Sequence, residues 1–204
     1  AKAPASTIRG VSLTCQRNTM INLDKNGKPL RPAIMWLDQR RAEMEGFPSG
    51  PLRLAMRAID ILGTVEHAIR ECEANWIRQN QPDIWEKTHK FLLLSGYLTY
   101  RLTGEYVDST GHTVSYVPFD FKAQKWAKPS DLKWKLFPMN PSILPDLVRP
   151  GEPQGRISKK VSVETGIPLG LPVIASAADK ACEVLGSGCL SPEIACLSYG
   201  TTAT

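Results

Sequence analysis

Two stretches near the end of this chain carry side chains whose types and spacing could do chemistry. In 171–188 (LPVIASAADKACEVLGSG) an apolar run gives way to Ala178-Asp179-Lys180, and a helical pattern then opens toward Leu185. An aspartate there stands where a strand passes into a helix, which is where open α/β sheets place their ligands. In 194–204 (IACLSYGTTAT) a second apolar run, read as a strand, ends in Ser198-Tyr199-Gly200-Thr201-Thr202. A glycine beside two hydroxyls lets backbone N–H and side-chain O–H groups approach phosphate oxygens. A carboxylate that can accept a proton, followed closely by such a turn, is the pairing expected for phosphoryl transfer to a hydroxyl. Each half also has a plainer explanation. Asp179 as a helix N-cap would account for an acid at that junction, and Gly-Thr-Thr describes many hairpin turns. Lys180 could stabilise phosphate charge, lower the pKa of Asp179, or simply be solvated.

A second set lies near the start. Gln16-Arg17-Asn18-Thr19 sets four polar side chains between two apolar runs. Arg17 and Asn18 are suited to hydrogen-bond vicinal hydroxyls, although a surface bulge would contain the same residues. Trp36, in Trp36-Leu37-Asp38-Gln39-Arg40, offers an apolar wall to the C–H face of a polyol, or a core side chain. Asp38 can pair with Arg40 or Arg41 and shape that loop. Glu73, Asn75 and Asp108 are placed only roughly, as side chains lining the same site. His67, His89 and His112 are scattered and lack metal-ligand spacing with another His or Cys, so no metal site is assigned. There is no nucleophile elbow, GxxxxGK[ST] or GxGxxG.

The elements that must position these groups follow from periodicity and breakers. Ile8–Thr14 and Met20–Leu23 read as strands, and Asp24–Pro29 as a hairpin turn with Asn-Gly at its tip. Leu30–Trp36 reads as the returning strand. Leu52–Ile61, Val65–Asn80 and Pro82–Thr103 have helical spacing, the last stopped by Gly104. Residues 108–152 are mixed, with a short helix at Ser130–Phe137 and a Pro-rich connection from Pro141. Ser158–Gly166 reads as a short helix ending at glycine. The order is α/β, with strand-rich ends around a helical middle.

Composition narrows the function classes. The 204 residues are 42% hydrophobic and 22% charged, ordinary for a globular protein that buries a sizeable core. The net charge of +5 comes from interspersed charges without a long basic run, which argues against nucleic acid as a partner. No apolar stretch approaches a membrane span. The five cysteines, odd in number and without CxxC, read as free thiols of a reducing compartment. With no export signal at the start, the expected location is cytoplasmic. The chain does not begin with Met, opens directly into a strand and stops after a phosphate-type turn, so it reads as an internal piece of a longer protein.

Taken together, five segments in order resemble the FGGY family of carbohydrate kinases: GVSLTCQRNT (10–19), NGKPLRPAIMWLDQRR (26–41), LSGYLTYRLTGEYVDST (94–110), GIPLGLPVIASAADKACEVLGSG (166–188) and LSYGTTA (197–203). The first two look most like the glycerol-kinase branch. The resemblance implies an α/β fold of the actin and ribonuclease-H type. Residues 1–204 would form most of the N-terminal substrate-binding domain of a two-domain sugar kinase. An Asp-x-Gly-Thr phosphate loop would precede residue 1 and a nucleotide-binding domain would follow Thr204. It implies ATP and Mg²⁺ as cofactors, Asp179 as the catalytic base, and Arg17, Asn18 and Trp36 as contacts to a small sugar or polyol. Gly200, Thr201 and Thr202 would lie near the γ-phosphate. Two departures stand out: a glycerol kinase would carry Glu in place of Asn18, and Lys180 replaces a small or amide residue after the base. The piece alone is expected to be inactive, and a homodimer is the assembly entertained. The rival reading is a non-catalytic actin-fold sugar-binding or regulatory protein.

Overall fold

The computed structural model describes residues 4–113 and 116–198. Its central strands are β1 (Val11–Ser12), β2 (Met20–Leu23), β3 (Lys90–Leu93) and β4 (Val107–Ser109). A small antiparallel pair follows, β5 (Phe119–Asp120) and β6 (Lys125–Trp126), and then β7 (Asp146–Val148), β8 (Pro153–Arg156) and β9 (Pro172–Ile174). The helices are α1 (Gly50–Ala58), α2 (Leu62–Glu71), α3 (Glu73–Asn80), α4 (Pro82–Lys87), α5 (Leu94–Thr103), α6 (Lys133–Leu136), α7 (Lys159–Thr165) and α8 (Asp179–Gly186). β1 runs parallel to β9, which pairs antiparallel with β8. β4 runs parallel to β7 and, through a bridge between Gly111 and Ala177, continues parallel to the end of β9. The C-terminal ends of β1, β4 and β9 therefore share one edge.

The β2–β3 pair shows how side-chain alternation builds the interior. Met20 faces Leu93 and Asn22 faces Phe91, and on the other side Ile21 faces Leu92. Successive side chains point to opposite faces. Met20, Phe91 and Leu93 thus join the main core with Ile77, Phe119, Phe137 and Leu144, whereas Ile21, Leu23 and Leu92 join a second cluster against Tyr97, Tyr100 and Tyr106. Fully burying a side chain such as Phe91 contributes about 1.5–3 kcal/mol.

Five sequence expectations are corrected here. The helix expected over Pro82–Thr103 is α4, β3 and α5, because the buried run Phe91-Leu92-Leu93 completes the sheet beside β2. The helix expected over Val65–Asn80 breaks at Cys72, whose backbone is extended and whose Sγ donates to Tyr116 O. The Asn-Gly turn forms, with Asp24 Oδ1 accepting from Asn26 N and Lys28 N. Its return, however, is reduced to bridges at Pro29 and Ile34 on the edge of β2 opposite β3, since the Met20–Ile34 register would set Asn22 opposite Pro32, which has no N–H to donate, and Asn22 O accepts from Leu30 N instead. Gly27 in that turn has φ +73, and a Cβ there would collide with Tyr100 Oη at 1.7 Å. Finally, the strand expected over Ile8–Thr14 is only Val11–Ser12 and is partly exposed, and 194–198 is not a strand, leaving Ile194 and Leu197 exposed. The helix stops at Gly104 and Gly166 do form, both left-handed, and Ser158 caps α7.

Candidate active site

Three loops meet at the shared edge of β1, β4 and β9. Hydroxyls fasten β1 to β9: Ser12 Oγ donates to Ile174 O and Thr14 Oγ1 to Ala177 O, each at 3.0 Å, and Ser176 Oγ donates to Leu13 O. Asp179 N donates to Cys15 O at 3.1 Å, which pins the start of α8 to the loop after β1. The loop after β4 is held from the other side. Ala178 N donates to Gly111 O at 3.1 Å, and Ser109 Oγ donates to Ser176 O.

Asp179 is the first helical residue of α8, not its cap. Ala178 occupies the cap position, and no side chain satisfies the helix start. The carboxylate is exposed, with no hydrogen-bond or ion-pair partner among the described residues. Asn18 stands at φ +55 in the loop after β1, in the left-handed region that asparagine tolerates better than most side chains. Its Oδ1 is buried and has no hydrogen-bond partner among the described residues. Neighbouring Gln16 Nε2 donates to Thr19 Oγ1 at 3.0 Å and closes the loop. Arg17 beside them is exposed.

Trp36 lies two residues beyond the Met20–Ile34 bridge and is 40% exposed, and among the described residues no hydrogen bond or bridge ties it to Asp179. Asp38 forks onto Arg40, whose hydrogen bonds hold its carboxyl down at about 2, and Arg41 pairs with Glu71. Lys180 Nζ is held by Glu183 Oε2 (2.8 Å) and Ser198 Oγ (2.6 Å), tying α8 to the segment that leads to 200–202. Gly200, Thr201 and Thr202 lie outside the described residues.

Of the roughly placed trio, Asn75 is structural: its Nδ2 donates to Ile69 O and Leu136 O. Glu73 is buried at the start of α3, where burial, with help from Glu71 and Asp38, pushes its carboxyl up to about 8. Asp108 belongs to the site region. It is fully buried, accepts from Ser95 Oγ (2.9 Å) and Ser109 N (2.7 Å), and burial pushes it up to about 7. The charges of Asp108 and Asp179 both reach Cys15, whose thiol goes up to about 11, mainly through burial.

The loop after β4 contributes two groups absent from the sequence-level set, Thr110 and His112. Both are buried, and among the described residues Thr110 Oγ1, His112 Nδ1 and His112 Nε2 have no hydrogen-bond partner. Burial pushes the imidazole down to about 4; the charge of Asp179 opposes this and that of Arg17 adds to it. The sequence signal for them was the run Asp-Ser-Thr-Gly-His-Thr (108–113), a polar break after a strand like the one at Asp179.

Among the described residues, no group of three His, Cys, Asp or Glu is placed to hold a metal ion, and no helix is long and apolar enough to cross a membrane. The Asp179 carboxylate can give an ion of the Mg²⁺ type one protein oxygen, while the uncapped start of α8 beside it favours phosphate oxygens rather than a cation. Such an ion arrives on phosphate oxygens and takes only one or two protein carboxylates.

Residues 1–186 match the profile of the FGGY family of carbohydrate kinases, N-terminal domain. A xylulose kinase of Staphylococcus xylosus is 27% identical over 198 residues, covering 96% of this chain and 40% of its own length. An uncharacterized sugar kinase of Escherichia coli (strain K12) is 38% identical over 194 residues, covering 95% and 32%. A glycerol kinase of Thermococcus onnurineus is 28% identical over 206 residues, covering 98% and 40%. The chain thus spans between 32% and 40% of these relatives' lengths. Among solved structures, a xylulose kinase from Rhodospirillum rubrum superposes with a TM-score of 0.74 at 22% identity, over 94% of this chain and 39% of that one. A likeness at that identity speaks for the fold alone.

Proposed function

Because the chain belongs to the FGGY family of carbohydrate kinases, we propose that it supplies the substrate-binding domain, residues 1–204, of an ATP-dependent kinase acting on a hydroxyl of a small sugar or polyol. The rest of that enzyme, including an Asp-x-Gly-Thr loop and a nucleotide-binding domain, lies in this reading outside the chain, so the chain alone does not turn over. The observation that carries the proposal is the meeting of three strand ends around the unpartnered carboxylate of Asp179.

Asp179 is the general base. As the substrate oxygen bonds to the γ-phosphorus, its proton passes to the Asp179 carboxylate, and the bond from that phosphorus to the bridging oxygen of the departing diphosphate breaks. ATP with Mg²⁺ supplies the phosphoryl group and offsets its charge when bound. Arg17, Asn18 and Trp36 orient the sugar: the first two by hydrogen bonds to its hydroxyls, the third against its C–H face. Gly200, Thr201 and Thr202 approach the γ-phosphate, and the hold of Lys180 on Ser198 braces the segment leading to them.

An uncovered carboxylate at this position favours an enzyme over a pure binder, which has no use for a free base. The test is an ATP-coupled screen of the full-length protein with Mg²⁺ against polyols, ketoses and aldoses. Asp179→Asn is then measured on whichever compound turns over. Loss of at least a hundredfold in kcat with little change in KM is expected, and activity that survives the substitution overturns the assignment.

A further inference from the structure

Nine buried side-chain N and O atoms lack a hydrogen-bond partner among the described residues, and four of them belong to this one edge: Asn18 Oδ1, Thr110 Oγ1, His112 Nδ1 and His112 Nε2. Such groups cost about 1–3 kcal/mol each when left unpaired, so a cluster of them argues for an occupant. They sit on the two loops that flank Asp179, the loop after β1 and the loop after β4, and both loops are bonded to the backbone at 177–179. His112 is 2% exposed. Asp108, its nearest acid, stays 3.9 Å from Nδ1, beyond hydrogen-bond reach.

We propose that His112, with Thr110 on the same loop and Asn18 on the loop after β1, hydrogen-bonds a second, uncharged hydroxyl of the substrate and thereby determines which sugar or polyol is accepted. The inference rests on the kinase reading given above and deepens it by naming the side chain that discriminates.

The chemistry of the three groups selects a hydroxyl. Asn18 Oδ1 can only accept, while Thr110 Oγ1 can donate and accept. A neutral imidazole presents one N–H donor and one acceptor nitrogen, the complement of an O–H group that accepts and donates at once. Burial keeps the ring neutral near pH 7, and of the charges that face it, Arg17 works in the same direction while Asp179 works against. A carboxylate would ask for two donors, which a neutral ring and an amide oxygen do not offer. The site therefore favours a neutral polyol or ketose over an aldonate. A site that pairs buried polar groups with a substrate hydroxyl also rejects analogues lacking it far more strongly than an apolar pocket rejects a methylene.

The experiment uses the full-length protein and two independent readouts. The first is the ¹⁵N resonances of the His112 ring in the unmodified protein, assigned by comparison with His112→Gln, as each compound of the panel is added to saturation without ATP. A shift with one compound or a stereochemically related group is expected; no shift with any compound overturns the proposal. The second compares kcat/KM of His112→Ala with the unmodified enzyme on the turned-over sugar and on its series of monodeoxy analogues. A tenfold to hundredfold loss is expected on the parent sugar, and less than threefold on the one analogue that lacks the hydroxyl read by His112. An equal loss on every analogue overturns the proposal, since that is the behaviour of a merely structural residue. Turnover without a ring shift removes this inference and leaves the kinase reading standing. A ring shift in a protein that turns over nothing supports the inference and removes the kinase reading.

Discussion

Substituting Gly111→Ala tests whether the contact between β4 and β9 sets the site. A Cβ built on Gly111 would lie 2.9 Å from Ala177 Cβ, 2.9 Å from Ser176 O and 3.0 Å from Ala177 Cα. None of these atoms is the end of a flexible side chain, so the strain cannot be relieved by a rotamer change. Ordinary contact begins near 3.4 Å, so the two backbones must separate by about half an ångström, at an overpacking cost of about 1–3 kcal/mol. The movement also stretches the Ala178 N to Gly111 O bond, now 3.1 Å, which leads directly into Asp179. Displacement of a reacting group by about 1 Å costs about a hundredfold in rate, so half of that should cost about tenfold in kcat/KM. The assay is steady-state phosphorylation by the full-length enzyme with its melting temperature measured in parallel. Gly63→Ala is the control: that residue lies in α2 with open space around its Cβ position, and the change should leave activity alone and stabilise by up to about 1 kcal/mol. A Gly111→Ala enzyme with unchanged melting temperature and kcat/KM within twofold would refute the reasoning.

Three further outcomes are expected. Glu73, held up at about 8 chiefly by burial, binds its proton more tightly folded than unfolded, so stability is highest near pH 5 and falls as pH rises toward 8. At about 1.4 kcal/mol per unit the effect is a few kcal/mol at most, and Glu73→Gln should flatten the melting profile over that window and raise stability at pH 8. Asp108, pushed up to about 7 by burial, adds to the same slope, so a part of it should survive in Glu73→Gln, and a profile that rises with pH would contradict both assignments. Phe91→Ala should cost about 3–5 kcal/mol in denaturant unfolding, because Phe91 is 1% exposed and edges onto Trp85 in the main core.

Local chemistry decides which of these features can be seen in the bare sequence. Helix ends were legible where a single residue type does the work, as at Ser158, Gly104 and Gly166. The division of 82–103 into helix, strand and helix was not, because Phe91-Leu92-Leu93 fits the apolar stripe of a helix as well as a buried strand. Only the edge offered by β2, seventy residues away, decides between them. The strand expected over 30–36 is interrupted for a local reason instead: on the free edge of β2 it meets Asn22 with Pro32, which has no N–H to donate.

The site divides along the same line. The place of Asp179 at the start of α8 was legible because an acid at a strand-to-helix junction is informative without knowledge of its neighbours, and the loop at Arg17 and Asn18 because four polar residues interrupt an apolar pattern. His112 gives no such signal, because spacing to other histidines and cysteines marks only a metal ligand. Its interest arises instead from what packs around it. The parallel bridge from Gly111 to Ala177 carries the run 108–113 to the edge where β1 and β9 end, and burial then strips His112 of water while no described residue partners it. Neither fact has a counterpart in local sequence. Both depend on Gly111, whose missing Cβ allows the two strand ends to touch. One glycine thereby links the two inferences. If that approach is what brings His112 beside Asp179, Gly111→Ala should weaken discrimination among deoxy analogues as well as slow the reaction, whereas a substitution that merely loosens the fold would slow all substrates alike.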